Sequence, residues 1–417
     1  MRENFIFPDY EGDCLSNVPR LAQSLLGIPA EENPLAKLIP ADLAGRPAPK
    51  VILVLVDGLG WKQFQASALT HQFFQNLMAK GGARPLTSVF PSTTAAALST
   101  LHTGLTPQEH GLLEWRVYYD ELDQVVITLP FTTSDKEGPD SLLKKGVDPK
   151  LLIEAPTIYQ KLKTQGIPSF VFASKVTAHG AYSGRVHAGA TSIVHTNLSD
   201  LLVNLREKLA AVSGPAYFFV YWELFDSIAH HYGPGSRQAE AELASLALLW
   251  QKIFVEAVEP AAARDTILLL TADHGLIDFD PATTVYLTDY PEIMELLAIS
   301  PAGKRIMPWG SPRDVFLRAR EGQITELRTK LEALLGERAV VVPTGELQQE
   351  GRFGLGAPHP AWLRRLGDLV ILARDHQVVW YEVAPGERVF KRGMHGGLHP
   401  EEMQIPLAIT RLTDLPE

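Results

Sequence analysis

The sequence predicts an α/β protein, a three-layer α/β/α sandwich in which helices cover both faces of a mostly parallel central sheet. Apolar runs of strand length recur along the chain, and helix-like stretches separate them. The runs are almost continuously apolar, which is typical of strands buried on both faces. Alternation of such strands with helices indicates a layered fold. The predicted strands are the runs at 51–56, 217–222, 266–271, 368–373 and 406–410.

Two stretches between these runs are helix candidates. The stretch at 157–166 ends at a glycine, which commonly caps a helix C-terminus. An alanine- and leucine-rich stretch at 239–259 precedes the run at 266–271. In sheets of this kind ligands bind at the carboxyl ends of the strands. Polar residues directly after each run are therefore the first candidates for a functional site.

We expect a single domain over residues 1–417, with an inserted subdomain at 281–390. This segment differs in character from the chain before it. It contains a helix candidate at 323–335, the short run AVVVP at 339–343 and a Gly- and Pro-rich stretch at 351–360. The insertion would precede the last elements of the main sheet.

The charge balance excludes some partners. The chain has 38 Lys and Arg against 48 Asp and Glu, a net charge of −10, and it contains no basic runs. Contacts to nucleic-acid phosphates are made by Lys and Arg, so we do not expect a nucleic-acid polymer as partner. A small phosphorylated substrate is compatible with this charge, because metal ions supply positive charge locally.

Location and ligand chemistry follow from two further features. No run approaches the roughly 18 apolar residues of a membrane helix, and the first residues carry acids rather than a signal pattern. We therefore expect a cytoplasmic protein without a membrane partner. The single cysteine, Cys14, excludes a disulfide framework and a thiolate zinc cluster. Any metal must be bound by histidine and carboxylate.

Candidate metal ligands follow the predicted strands. Each alone has a structural explanation, because an aspartate after a strand often caps a helix and an Asp-His pair four residues apart is often a surface pair. Together they fall at one edge of the predicted sheet. Three carboxylates and three imidazoles suit Zn²⁺ or Mn²⁺ and suffice for two ions. The candidates are Asp57, Asp226, His230, Asp273, His274 and His395.

A candidate nucleophile lies in the FPSTT segment. A short strand-like TSVF at 87–90 leads into Ser92, Thr93 and Thr94, which open an alanine-rich helix. A hydroxyl at this position often caps the helix, and a helix N-terminus also favours a phosphate. One hydroxyl can cap while another attacks. A threonine is a poor nucleophile unless a metal or base activates it.

The order of these motifs resembles the alkaline phosphatase superfamily. VDG at 56–58, FPSTT at 90–94, HG at 110–111, an Asp with a His four residues later, DHG at 273–275 and a late HGG occur in the family's order. The likeness extends from about residue 50 to 409. It is strongest to the type I phosphodiesterase and nucleotide pyrophosphatase branch, and it implies an alkaline phosphatase-like catalytic domain.

The resemblance also implies roles. Two divalent ions, zinc or alternatively manganese, would be held by the seven residues of the motifs. A covalent phosphothreonine would form on Thr94, with Thr93 as the alternative nucleophile. One ion would be bound by Asp57, Thr94, Asp273 and His274, and the other by Asp226, His230 and His395.

The substrate contacts depart from the family pattern. The branch has a phosphate-binding Asn after its HG motif, and this chain has Trp115 at that position. We expect Arg116 to replace it by offering two donors to phosphate oxygens, with a solvated or salt-bridged arginine as the alternative. Lys175 is a candidate for the leaving-group pocket. Trp115, Tyr118 and Trp222 are candidates for stacking on a base, although such aromatics are often core residues.

These features predict a two-metal hydrolase of phosphodiesters or nucleotide pyrophosphates, with a nucleotide as one candidate substrate. A phosphomonoesterase or phosphonate hydrolase of the same superfamily is an alternative, and a catalytically silent, metal-stabilised relative is a second. A dinucleotide-binding oxidoreductase is disfavoured because the glycine motif GxGxxG is missing after the first strand. The sequence does not indicate an oligomeric state.

Overall fold

The computed structural model describes residues 4–28, 33–39, 50–133, 137–384, 386 and 388–415. The described strands are β1 Lys50–Val56, β2 Arg84–Thr87, β3 Arg116–Tyr119, β4 Gln124–Ile127, β5 Ser169–Ser174, β6 Thr191–His195, β7 Ala216–Trp222, β8 Thr266–Thr271, β9 Ile277–Asp278, β10 Val285–Tyr286, β11 Trp309–Ser311, β12 Asp314–Leu317, β13 Ala339–Pro343, β14 Leu369–Ala373, β15 Val379–Trp380, β16 Gly393–Met394 and β17 Gln404–Arg411.

Helices connect most of these strands. The described α-helices are α1 Val18–Leu25, α2 Trp61–Ala68, α3 Gln72–Ala79, α4 Thr94–Thr103, α5 Pro107–His110, α6 Ser141–Lys144, α7 Ile158–Thr164, α8 Ala181–Val186, α9 Leu198–Ala211, α10 Leu224–Tyr232, α11 Arg237–Leu249, α12 Pro260–Ala263, α13 Pro291–Met294, α14 Ile324–Leu335, α15 Thr344–Gln349, α16 Trp362–Leu366 and α17 Pro400–Met403. Among them no helix is both long and apolar enough to cross a membrane.

The central sheet has the strand order β2-β17-β8-β1-β7-β5-β6. Strands β8, β1, β7, β5 and β6 pair in parallel, whereas β17 runs antiparallel to both β8 and β2. Strands β5 and β8 are buried along their whole length, and β1 is buried from its second residue on. Burial on both faces needs helices above and below the sheet. One group of packed helices contains α1, α4 and α7, and another contains α2, α3 and α11. The predicted three-layer, mostly parallel fold is confirmed.

This topology gathers the predicted ligands at one edge. The parallel strands β1, β7 and β8 end there, so the residues that follow them come together. Strand β17 is antiparallel and therefore begins at the same edge. The segment before β17, which contains His395, thus reaches the same place as Asp57 and Asp273.

One predicted strand belongs to a different sheet. The run at 368–373 was expected in the central sheet, but β14 pairs antiparallel with β12 and β13 in a four-stranded sheet, β11-β12-β14-β13. That sheet contributes to a second apolar core, which includes Leu297, Val315, Leu331 and Ile371. An apolar run indicates burial but not which strand it pairs with. The boundaries of the inserted subdomain at 281–390 stay a prediction.

One predicted strand and one predicted helix have different bounds in the structure. The strand expected at 87–90 is β2, which ends at Thr87, and Ser88 instead donates its backbone N–H to the carbonyl of Met403. The long helix expected at 239–259 is α11 followed by a π-helical stretch, Trp250–Val255. The helix predicted at 157–166 is α7, with Thr157 as its N-cap.

Candidate metal centre

Asp57 follows the last residue of β1, and its side chain is buried. Gly58, next to it, has φ 74°, and a Cβ here would lie 2.7 Å from the Leu276 side chain and 3.1 Å from the Asp226 backbone. A side chain at this position would therefore be strained and would clash. The glycine of the VDG motif allows the start of helix α10, with Asp226, to approach the end of β1.

Three side chains form a first group of ligand atoms. One oxygen each of Asp57 and Asp273 and a ring nitrogen of His274 all lie within 4.8 Å of one another. His274 Nε2 is 3.6 Å from Asp57 Oδ1 and 3.2 Å from Asp273 Oδ2. All three residues are buried. These three residues are half of the six predicted ligands, and they lie directly after the ends of β1 and β8.

A second group overlaps the first at His274. Ligand atoms of Asp226, His274 and His395 also lie within 4.8 Å of one another. His230, one turn after Asp226 on α10, has its Nε2 3.5 Å from Asp226 Oδ2 and 3.1 Å from His395 Nε2. The rings of His274 and His395 are stacked, with centroids 3.6 Å apart. All six predicted side-chain ligands thus converge.

The three imidazoles are oriented in the same way by the backbone. Nδ1 of His230 donates to the carbonyl of Gly393 at 2.7 Å, Nδ1 of His274 to that of Gly275 at 3.1 Å, and Nδ1 of His395 to that of Ser92 at 3.0 Å. A proton on Nδ1 leaves the lone pair on Nε2. Each Nε2 faces the cluster. Such second contacts are the usual way in which proteins orient histidine ligands of a metal.

The carboxylates fit divalent ions as well. Among the described residues Asp57 Oδ1, Asp226 Oδ1 and Asp273 Oδ2 are buried and have no hydrogen-bond donor. Burial raises the pKa of Asp57 well above its usual range, and the negative charges of Asp273 and Asp226 add to this. Burial also raises the pKa of Asp273. Buried carboxylate oxygens without donors are costly unless a cation compensates them.

Burial also keeps the histidines neutral, as metal ligation requires. It lowers the pKa of His274 to about 4 and that of His230 to about 3. For His395 burial lowers the pKa well below its usual value, and the neighbouring His274 and His230 contribute. Neutral imidazole is the form that binds a metal. Donor chemistry, orientation and charge therefore agree with a two-ion centre.

The two threonine candidates have different partners. Thr93 is the N-cap of α4, where its hydroxyl oxygen accepts from the N–H of Ala96 at 3.5 Å. Thr94 is the first helical residue, and its Oγ1 is 3.1 Å from His274 Nε2. One hydroxyl caps the helix and the other faces the ligand cluster. This geometry favours Thr94 as the nucleophile.

A pocket of about 650 Å³ opens beside Thr94, Asp226, His230 and His395. Both Trp115 and Arg116 line it, and Trp115 is 39% exposed. Trp380 and Met394 also line it, as do the exposed side chains of Val383 and Phe390. The centre therefore faces a cavity large enough for a substituent on a phosphate.

Three other candidates lie elsewhere. Lys175 follows β5, is exposed and does not line this pocket. Tyr118 and Trp222 are buried, and Trp222 donates its indole N–H to Glu242 at 2.9 Å. These aromatic residues belong to the core and do not form a stacking platform. Of the predicted substrate contacts only Trp115 and Arg116 are at the site.

Sequence reasoning missed three residues around the centre. The hydroxyl of Tyr221 donates to Asp57 Oδ2. Glu114 lines the pocket and is fully buried, and its negative charge raises the pKa of the neighbouring buried Asp314. Burial raises the pKa of Glu114 to about 7. The sequence feature that could have identified Tyr221 is its polar hydroxyl on the next-to-last residue of β7. The proximity of Glu114 to Asp314 has no local sequence feature that predicts it.

Several known proteins are similar to this chain. Bovine ectonucleotide pyrophosphatase/phosphodiesterase family member 3 is 24% identical over 273 residues, which are 64% of this chain and 29% of that protein. The venom phosphodiesterase CdcPDE of Crotalus durissus collilineatus is 24% identical over 247 residues, 59% of this chain and 28% of that protein. The chain thus spans less than a third of the length of these curated relatives.

Two solved structures have the same fold. Murine ectonucleotide pyrophosphatase/phosphodiesterase 5, as an inactive variant in complex with AMP, superposes with a TM-score of 0.65 at 18% identity, covering 88% of this chain and 92% of that one. Phosphonoacetate hydrolase from Sinorhizobium meliloti, in complex with phosphonoformate, gives a TM-score of 0.62 at 18% identity, covering 89% and 96%.

A family model matches more of the chain than either of the two curated relatives does. The sequence model of the type I phosphodiesterase / nucleotide pyrophosphatase family matches residues 51–398, most of the chain. That range contains every predicted ligand, from Asp57 to His395. The chain belongs to the type I phosphodiesterase / nucleotide pyrophosphatase family.

Proposed function

We propose that the protein is a two-metal-dependent hydrolase of phosphodiesters or nucleotide pyrophosphates that acts through a covalent phosphothreonine on Thr94. The observation that carries this proposal is the shared position of His274. It belongs to both groups of ligand atoms, and its Nε2 is 3.1 Å from Thr94 Oγ1. A hydroxyl beside two adjoining ligand groups is the arrangement that a two-metal phosphoryl transfer needs.

Asp57, Thr94, Asp273 and His274 would hold one ion, and Asp226, His230 and His395 the other. Bound divalent ions lower the pKa of a coordinated hydroxyl and neutralise charge on phosphoryl oxygens. The mixed nitrogen and oxygen donors suit zinc, with manganese as the alternative.

The chain's own groups support the rest of the reaction. Thr94 Oγ1 loses its proton to water and attacks phosphorus, a new P–O bond forms, and the leaving oxygen departs with the electron pair of the bond that breaks. Water then hydrolyses the phosphothreonine. The first N–H groups of α4 lack partners within the helix, and its dipole favours an anion there. They would support the phosphoryl group next to Thr94.

Pocket shape supports an ester with a large substituent. The cavity beside the ligand cluster is lined by Trp115 and Arg116 and by the apolar side chains of Val383 and Phe390. We propose that Arg116 contacts phosphate oxygens in place of the family's Asn. The two structural relatives were solved with AMP and with phosphonoformate, so a small phosphorylated substrate, a nucleotide among them, is the partner we propose.

Hydrolysis of two p-nitrophenyl esters, a phosphate monoester and a phosphodiester, tests this function on protein loaded with zinc or manganese. Preference for the diester, lost in Thr94→Ala, supports the proposal. Preference for the monoester moves the protein to the phosphomonoesterase alternative. Turnover of neither ester, with two equivalents of bound metal, favours a silent relative. The cytoplasmic location stays a prediction from the sequence.

A further inference from the structure

Glu402 is a fully buried carboxylate that the sequence analysis did not select. It forms an ion pair with Arg313, whose Nε lies 3.0 Å from Oε1 and whose Nη2 lies 2.8 Å from Oε2, and both side chains are 0% exposed. A bidentate pair of this kind fixes direction as well as distance. Burying it is costly unless the remaining lone pairs of the carboxylate are satisfied.

Those lone pairs are satisfied by the loop that carries His395. The N–H of Gly397 donates to Oε1 at 3.0 Å and the N–H of His399 donates to Oε2 at 3.1 Å. Burial alone would raise the pKa of Glu402, but Arg313 and these N–H groups hold it below its ordinary value. The carboxylate is therefore a charged anchor for the loop, and one of its donors, Gly397, lies two residues beyond the predicted ligand His395.

The same residue also contacts the other ligand segment. Its backbone carbonyl accepts from the N–H of Gly275, the neighbour of His274, at 2.8 Å. Its side chain thus holds the loop of His395, while its main chain holds the turn of His274. Both imidazoles are stacked on each other.

Arg313 connects this anchor to the antiparallel sheet. It lies in the turn between β11 and β12, and it also donates to the carbonyl of Gln377. Ser311, the last residue of β11 before this turn, has its Oγ 3.1 Å from the carbonyl oxygen of His395. Gly396 packs against this turn, because a Cβ there would lie 2.2 Å from Ser311 Oγ. The turn and the loop of His395 are therefore in tight contact.

We propose that Arg313 and Glu402 are a positioning pair, which fixes His395 for the second ion and couples that half of the centre to the antiparallel sheet. This inference rests on the proposed two-metal function. Neither residue touches the reacting atoms. Groups that orient metal ligands typically contribute 10- to 100-fold to metal affinity, in order of magnitude.

Zinc titration of chelator-treated protein against a chromophoric chelator tests the pair. The variant is Glu402→Gln, and the matched control is Glu401→Gln, whose carboxylate forms an ion pair with the exposed Lys62 at 2.8 Å. We expect Glu401→Gln to bind two equivalents as the wild type does. In Glu402→Gln we expect one equivalent to weaken about 10- to 100-fold while the other is unchanged. For diester hydrolysis, kcat should fall and KM should change little.

The difference in zinc affinity between the two equivalents distinguishes positioning of His395 from a general contribution to the stability of the fold. Equal weakening of both ions, or two unchanged ions, overturns the positioning role, whereas a wild type that binds no zinc overturns the proposed function and the pair together. If Glu402→Gln does not fold, Arg313→Lys replaces it, because a lysine keeps the charge and loses the planar fork. Wild-type affinity for both ions in Arg313→Lys also overturns the inference.

Discussion

His395 donates from Nδ1 to the backbone carbonyl of Ser92 at 3.0 Å, although 303 positions separate the two residues in the chain. Ser92 in turn donates its hydroxyl to the carbonyl of Gly397 at 2.7 Å. The segment of the candidate nucleophile and the segment of the last ligand thus hold each other. Displacement of either segment would move both.

Replacing Thr94 by alanine is expected to reduce kcat for the diester by at least about a thousand-fold, because removal of a nucleophile leaves only binding and electrostatic stabilisation. Thr93→Ala is the matched control. It removes the helix cap and should cost about 1 kcal/mol of the free energy of unfolding, with most activity retained. Comparable activity in wild type and Thr94→Ala would contradict the assignment.

Removing metal is expected to destabilise the fold. Without cations the buried carboxylates of Asp57 and Asp273 lack compensation, and their pKa values are raised. Zinc at about 100 times its Kd should add about 2.7 kcal/mol to the free energy of unfolding. The Tm after EDTA treatment, and again after zinc and then magnesium are added back, measures this stabilisation by metal. An equal Tm with EDTA and with zinc would argue against the centre.

Tyr221→Phe is expected to weaken zinc binding about 10- to 100-fold with little loss of apo-protein stability, since the phenol hydroxyl orients Asp57. Chelator competition measures the affinity. The control is Tyr232→Phe on the exposed end of α10, where the side chain is 45% exposed. Identical affinities in the two variants would show that the hydroxyl of Tyr221 does not matter.

Stability should depend on the pH through Glu114. Burial raises its folded pKa to about 7 from an ordinary value of 4.5, so between these values the folded state holds a proton that the unfolded state has lost. The contribution of this group is complete below pH 4.5 and is lost as the pH rises to about 7, at no more than about 1.4 kcal/mol per pH unit. Urea unfolding from pH 5 to 8 measures this slope, and Glu114→Gln should make it shallower. An unchanged slope would contradict the raised pKa.

Arg116→Gln is expected to raise KM for the diester about 10-fold, because a charged hydrogen bond to a phosphate oxygen contributes about 1.5 kcal/mol or more. Lys175→Gln should leave KM unchanged, since Lys175 is exposed and lies outside the pocket. The KM values of both variants, from steady-state kinetics, show whether Arg116 or Lys175 contacts the substrate. A larger effect of Lys175→Gln would restore the expectation from the sequence.

Much of the fold and the ligand set was predictable, for a physical reason. Strands buried on both faces, such as β1 and β8, need continuous apolar runs, and the polar residues that end those runs must lie at the sheet edge. Asp57 and Asp273 could therefore be selected without knowledge of any contact. Asp226, His230, His274 and His395 were selected in the same way, and the resemblance then implied which ion each ligand would hold.

What could not be predicted depends on contacts between distant segments. Glu402 and Arg313 are 89 positions apart, and the partner of Glu114 is on a strand of the other sheet. The run at 368–373 had the same apolar character as the strands of the central sheet, although β14 pairs elsewhere. Lys175 was selected for its position after β5, but its side chain does not line the pocket.

The antiparallel strand β17 has a consequence for the order of assembly. It fills the space between β8 and β2, and the ligand segment with His395 directly precedes it. During synthesis the amino-terminal parts emerge first, so the half-centre of Asp57 and Asp273 can exist before His395 is made. A nascent chain that has not yet docked β17 exposes two unpaired strand edges, which are templates for aggregation. Tight binding of the second ion would thus report that β17 has docked between β8 and β2.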